Sequence, residues 1–192
     1  MNNKVLVEIS ARHVHLTDEH LEVLFGEGHQ LHNLKELSQP GQYATEERVT
    51  LKGPKGEMSR VIVLGPTRPA TQVEISATDA RALGVKADVR MSGDIANTGG
   101  MTLVGPAGSI ELNEGVIVAK RHIHLSDEDA KQFELEDQEV VNVKIETEQR
   151  SLIFDDVVVR VNPNFRAAMH IDTDEGNAAG IAGSTQGIII KK

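Results

Sequence analysis

The chain carries Arg12-His13-Val14-His15-Leu16-Thr17-Asp18-Glu19, and 109 positions later it carries Arg121-His122-Ile123-His124-Leu125-Ser126-Asp127-Glu128. Six of the eight residues are identical, and the other two exchange Val for Ile and Thr for Ser. Four of the eight histidines in the chain sit in these two pairs. A spacing of two puts both imidazoles of a pair on one face of an extended strand, because strand side chains alternate with period 2. Two imidazoles on one face are half of a metal site. The Leu-Thr-Asp-Glu or Leu-Ser-Asp-Glu that follows starts a helix, with Thr17 or Ser126 as N-cap and acids in the first turn. Each copy therefore predicts a strand with its histidine pair, then a short helix.

Composition narrows the setting. A length of 192 residues suits one large or two small domains, and 39% apolar with 26% charged residues is ordinary for a globular chain. With four Phe, one Tyr and no Trp, the core must be built from Val, Ile, Leu and Ala. A net charge of −9 excludes a phosphate-coating nucleic-acid binder, and the scarcity of aromatics removes a base-stacking platform. The absence of cysteine excludes disulfides, thiolate zinc ligands and an enzyme-bound thioester. No apolar run reaches the roughly 20 residues of a membrane span, and the first residues contain no secretory apolar segment. A cytoplasmic protein with no membrane partner is the expectation.

The rest of the chain reads as short strands and turns. Lys4 to His15 alternates as a strand, residues 18–25 form a helix ending near Gly26, and residues 29–47 are polar and loop-like around Ser38-Gln39-Pro40-Gly41-Gln42. Two similar turns, Gly53-Pro54-Lys55-Gly56 and Gly105-Pro106-Ala107-Gly108, each join β-rich runs. Gln72–Ser76 reads as a strand leading into a helix at 77–83 closed by Gly84. Further strands are expected at 139–146, 152–154 and 157–161, and a last helix from Asp174 to Ile181 capped by Thr173 or Asp172. Many short strands with a duplicated unit predict a mostly β fold of two similar small β-barrels with short capping helices. The histidine pairs lie where one barrel hands over to the next, so the two pairs are expected to meet at an interdomain cleft.

With no cysteine, histidines plus a carboxylate point to open, catalytic metal sites rather than a closed structural one. Candidates for further ligands are His170, just before an acid-rich helix, and Glu74, in a strand between apolar residues. His20, His29 and His32 read as solvated. Arg12, Arg121 and Arg68 flank these segments, and arginine forks suit phosphate. The alternative reading of each is a surface ion pair.

Taken together, Ser10-Ala11-Arg12-His13-Val14-His15-Leu16, Ser38-Gln39-Pro40-Gly41-Gln42, Gln72-Val73-Glu74-Ile75-Ser76, Arg121-His122-Ile123-His124 and Met169-His170-Ile171-Asp172-Thr173-Asp174-Glu175 resemble the PduL-type phosphotransacylases, or phosphate propanoyltransferases. The resemblance runs in order from about residue 5 to 182. It implies a central barrel over 12–119 and a second barrel joining 1–11 to 120–192. It implies two zinc ions, one on His13, His15 and Glu74, the other on His122, His124 and His170. Arg68 would bind phosphate, with Arg12, Arg121 and Gln42 as further substrate-binding candidates. The implied reaction interconverts acyl-CoA and phosphate with acyl phosphate and CoA, on propanoyl or acetyl groups, in a homo-oligomer such as a dimer. The microcompartment-targeting extension of some relatives is not seen. Two other readings remain open: a zinc-dependent esterase or thioesterase, and a non-enzymatic protein whose metals are structural.

Overall fold

The segment from Lys4 to His15, expected as one strand, is two: β1 (Lys4–Ile9) and β2 (His13–His15). They belong to different compact units. The computed structural model describes residues 3–192, so Met1 and Asn2 of the expected N-terminal segment lie outside the described residues. After β2 come α1 (Asp18–Phe25), β3 (Asn33–Glu36), β4 (Tyr43–Lys52), β5 (Glu57–Gly65) and β6 (Gln72–Glu74). Then follow α2 (Ala77–Leu83), β7 (Asp88–Arg90), β8 (Gly99–Val104) and β9 (Ser109–Ala119). The C-terminal third supplies β10 (His122–Leu125), α3 (Asp127–Phe133), β11 (Val140–Ile145) and β12 (Leu152–Val161). It ends with β13 (Ala168–Ile171), α4 (Thr173–Ala179) and β14 (Ser184–Ile190). The fold is mostly β, with two closed six-stranded barrels.

One barrel closes in the order β1-β13-β10-β12-β11-β14 and returns to β1. The other runs β4-β5-β2-β6-β9-β8 and returns to β4, with β3 and β7 added beside β4 and β9. The two circuits match strand for strand. β2 lies parallel to β5 and antiparallel to β6, and β10 lies parallel to β12 and antiparallel to β13. β6 runs parallel to β9, as β13 does to β1. β1, first in sequence, thus fills the place that β9 fills in the other barrel.

Within each barrel the pattern repeats again. Strands β2, β6, β10 and β13 each lead through a capping residue into a helix: Thr17, Ser76, Ser126 and Asp172 accept from the backbone N–H of the third helical residue. In the last three the third helical residue is an acid that returns the bond, a full capping box. Two residues before the cap stand His15, Glu74, His124 and His170. Four before it stand His13, Gln72, His122 and Ala168. The intervening Val14, Val73, Ile123 and Met169 are buried in the two apolar cores, so alternation turns the ligand-type side chains to the opposite face.

The Gly-Pro-X-Gly turns do matching work in one barrel. Lys55 N–H donates to the carbonyl of Leu83 (3.0 Å) and Ala107 N–H to that of Leu24 (2.9 Å), so each hairpin tip ties down a helix end. A Cβ on Gly53 would stand 2.2 Å from the Leu83 oxygen, and one on Gly105 2.3 Å from the Leu24 oxygen. Only glycine fits either approach.

Several local features differ from the sequence reading. Part of the expected 29–47 loop is β3 and the start of β4, whose alternation is hidden by a register shift between Ala44 and Arg48. The two short runs at 152–161 are one strand, β12, which passes through Asp156 at φ 53. Helix α4 ends at Ala179 because Gly180 takes the left-handed conformation. One unit runs to Ser10 and takes in Ser38–Pro40 and Lys120–Lys192; the other comprises Ala11–Leu37 and Gly41–Ala119. Residues 38–40 count with the former because the Gln39 amide clamps Arg166, donating to its carbonyl (2.9 Å) and accepting from its N–H (3.2 Å). Among the described residues no helix is long and apolar enough to cross a membrane.

Candidate active site and metal centres

In the unit of residues 11–37 and 41–119, antiparallel pairing sets His13 opposite Glu74 and His15 opposite Gln72. All four side chains are buried. His13 Nδ1 lies 2.8 Å from the carbonyl of Ala11. A carbonyl only accepts, so Nδ1 carries the proton and Nε2 keeps the lone pair. That Nε2 stands 3.5 Å from Glu74 Oε2. His15 Nδ1 is buried with no hydrogen-bond partner, and the two rings meet edge to face with centroids 5.0 Å apart. One ligand atom from each of His13, His15 and Glu74 lies within 4.8 Å of the others. An orphaned buried imidazole nitrogen beside a carboxylate fits a divalent metal ion.

A hydrogen-bond network orients the carboxylate. Glu74 Oε1 accepts from Gln72 Nε2 (2.6 Å) and Ser92 Oγ (2.8 Å), leaving Oε2 to face His13. Gln72 Nε2 also reaches Ser92 Oγ (2.9 Å), and Gln72 Oε1 accepts from the N–H of Gly93 (2.7 Å). Arg68 joins the same hydroxyl through Nη1 at 3.3 Å, while its own N–H is fixed on the carbonyl of Leu16 at 2.8 Å. Ser92 thus links the carboxylate to the guanidinium.

Electrostatics separates the two histidines. Burial works to raise Glu74, but the facing His13 charge, its hydrogen bond, His15 and the Ser92 hydroxyl hold the carboxyl well below the usual range. Burial works to lower His13, and Glu74 with the Ala11 carbonyl reverses the sign and raises it. His15 falls well below the ordinary histidine value through burial, then the charges of His13 and Arg68. A neutral His15 offers its lone pair at physiological pH.

In the other unit, His122 pairs with His170 and His124 with Ala168. His122 Nδ1 lies 2.8 Å from the carbonyl of Lys120, the same anchor that holds His13. The three rings cluster, with centroid separations of 4.6 Å (His122–His124), 5.5 Å (His122–His170) and 5.1 Å (His124–His170). The ring of Phe165 packs on His124 at 4.2 Å. The set is all imidazole where its counterpart holds a carboxylate.

Arg12 and Arg121, offered by the sequence as anion binders, each meet a capping-box acid. Arg12 forks onto Asp79 (2.8 and 2.7 Å), and Arg121 reaches Glu175 (3.1 Å) and lies over the Phe154 ring at 5.4 Å. Gln42 is half-buried, and its backbone carbonyl accepts from the N–H of Leu37 (3.0 Å). His20 bonds Thr71 Oγ1 through Nδ1 at 2.7 Å. His29 and His32, expected in solvent, converge on buried Glu47. Sequence reasoning missed Gln72, although its place two residues before Glu74 was a period-2 signal. Ser92 arrives from a distant turn and carries no local signal.

A family model described as phosphate propanoyltransferase matches residues 6–182. The phosphate propanoyltransferase of Listeria monocytogenes is 53% identical over 188 residues, covering 98% of this chain and 88% of its own length. That of Thermotoga maritima is 53% identical over 175 residues (91% and 83%), and that of Salmonella typhimurium 52% identical over 172 (90% and 81%).

Proposed function

This chain belongs to the phosphate propanoyltransferase family of acyltransferases, and on that premise we propose that it interconverts short-chain acyl-CoA and phosphate with acyl phosphate and CoA. Propanoyl-CoA and acetyl-CoA are the proposed acyl donors. A phosphate oxygen attacks the thioester carbonyl, the C–O bond forms, and the C–S bond breaks to release CoA as its thiolate. No acyl-enzyme intervenes, consistent with a chain that lacks cysteine.

The observation that carries this reading is Arg68, tied through Ser92 to the carboxylate of a buried His13–His15–Glu74 set. A guanidinium presents a planar fork that matches phosphate oxygens. Here it binds and orients the dianion, and its charge offsets what accumulates as the tetrahedral intermediate forms. Gln72 and Ser92 hold Glu74 in place. We further propose zinc as the metal, one ion on His13, His15 and Glu74 and a second on His122, His124 and His170. Zinc, when bound, supplies Lewis acidity for the thioester oxygen and affinity for the departing thiolate.

The test is phosphate dependence. CoA release from propanoyl-CoA should require phosphate and should yield an acyl phosphate trapped as its hydroxamate by hydroxylamine. Equal release without phosphate would make the chain a thioesterase, and no release under either condition would leave a non-enzymatic protein.

A further inference from the structure

We propose that His29, His32 and Glu47 form a separate binding site for zinc or another first-row divalent ion. The site lies in the unit of residues 11–37 and 41–119 and is built from residues the proposed reaction does not use. Glu47 sits on β4 with its side chain only 4% exposed. Its Oε1 receives His29 Nε2 at 2.9 Å and His32 Nδ1 at 2.7 Å. One ligand atom from each of the three residues lies within 4.8 Å of the others. Two imidazoles from one loop thus converge on a single buried oxygen.

The carboxylate and the His29 ring have contacts beyond the imidazole–carboxylate bonds. The backbone N–H of His32 donates to both carboxylate oxygens (3.3 and 3.2 Å), which fixes the plane of the carboxylate. The His29 ring is stacked on Phe25 with centroids 5.2 Å apart and planes 24° apart. Arg48, next to Glu47 in the chain, turns its guanidinium onto the carbonyls of Thr45 (2.6 Å) and Glu47 (2.8 Å). Arg48 therefore turns away from the carboxylate, and the side chains that meet it are the two histidines. Two imidazole nitrogens and one carboxylate oxygen are the donor set of open zinc sites. His32 is 62% exposed on its side chain, so the remaining coordination positions face water. A bound ion would fasten the loop between α1 and β3 to the barrel wall.

The competing account is a hydrogen-bonded clasp that holds no metal. Full-length protein is saturated with zinc chloride, dialysed against metal-free buffer and analysed for metal, beside His29→Ala/His32→Ala and Glu47→Gln. The double variant should carry one equivalent less than the unaltered chain, and its phosphate-dependent CoA release should stay within about twofold. Equal metal content would overturn the proposal and leave the clasp. Because a double variant can unfold, His32→Gln, altered at an exposed ring, supplies a second reading. It should weaken cobalt(II) binding at this site at least about tenfold by spectroscopic titration. An unchanged cobalt(II) isotherm would equally overturn the site. Activity is scored separately, so failure here leaves the catalytic reading intact.

Discussion

The two barrels present the same face in two chemistries. In one, position two before the cap of the second helix is Glu74; in the other it is His170. Position four before the cap is Gln72 in one and Ala168 in the other. The backbone is the same down to the carbonyl that anchors the first histidine of each pair, at 2.8 Å in both. The N–H of Arg68 bonds Leu16 as that of Asn162 bonds Leu125, so an arginine stands in one barrel where an asparagine stands in the other. The Glu74 face thus carries a carboxylate, an amide that orients it and an arginine where the other face carries a third histidine, an alanine and an asparagine. The comparison teaches that the barrels are not interchangeable, and on the proposed reading the Glu74 face is the one suited to an anionic substrate.

The largest effect should come from removing ligands. His13→Ala or His15→Ala should lose one metal, and His122→Ala or His124→Ala the other, as counted by elemental analysis. A metal contributes several kcal/mol of charge stabilisation, so activity should fall on the order of 1000-fold. Full metal content in all four variants would break the equivalence of the two faces. Next comes Arg68→Ala, which should fold, keep its metals and lose roughly 30- to 1000-fold in rate, about 2–4 kcal/mol. Phosphate kinetics should suffer most, and Arg68→Lys should rescue only part because an ammonium lacks the planar fork. Near-normal phosphate kinetics would place the anion site elsewhere. Ser92→Ala should weaken metal binding by about 10- to 100-fold at the Glu74 face alone, since Ser92 orients the ligand without touching the ion. Equal weakening at both faces would mean a general structural effect.

Much of this was written in the sequence. The histidine pairs, the Ser and Thr caps and the β-rich runs follow local rules of period and capping, so barrels, helices and the buried pairs could be read directly. Other features needed the folded chain. β3 and the start of β4 were hidden because a register shift broke the alternation. The role of β1 depends on pairing with β13 and β14, more than 150 residues away. The ion pairs of Arg12 and Arg121 were not legible locally because their partners, Asp79 and Glu175, sit on helices that follow other strands. The pairing of half-buried His29 and exposed His32 with Glu47 was not legible because Glu47 lies 15 or more residues on, in a strand whose period was obscured.

Acid should separate the two units. Glu74 and Glu47 are held below the usual carboxylate range, Glu47 at about 2, because histidines and hydrogen bonds outweigh their burial. A depressed carboxyl contributes stability that is present above its unfolded value and is lost as pH falls toward the folded one. Asp172 and Glu175 in the other unit are raised, chiefly by burial, so their contribution is present in acid and lost as pH rises. Glu146 and Asp155 there are lowered by lysines but are exposed to water that screens their pairs. Between pH 4.5 and 2, metal-free protein should therefore loosen first in residues 11–37 and 41–119. Pepsin digestion at about pH 3, with fragments mapped by mass spectrometry, reads this out. First cleavage within 120–192 would reverse the assignment. Glu47→Gln should narrow the gap in protease resistance between neutral and acid solution.

The smallest effect concerns the arginines ahead of the two pairs. Arg12 grips Asp79 with two bonds, and the Asp79 side chain is only 6% exposed, so losing the guanidinium leaves a buried carboxylate without its cation. Arg121 makes one longer contact to Glu175, with side chains 30% and 21% exposed. Burying an unpaired charge costs more than losing a wet one, although the 42% exposure of Arg12 lets water screen part of the loss. Arg12→Ala should therefore destabilise by about 1–2 kcal/mol, and Arg121→Ala by less than about 1 kcal/mol. Urea unfolding at neutral pH and moderate salt measures both, and added salt should shrink the Arg121 effect more. Both contacts fall on the third residue of the helix that follows the neighbouring strand, so each arginine braces its ligand strand against that helix. Catalytic loss in these variants should track loss of folding alone. If Arg12→Ala instead stayed fully stable while phosphate affinity collapsed, Arg12 would join Arg68 as an anion-binding residue, and the two arginines would no longer be structural equivalents.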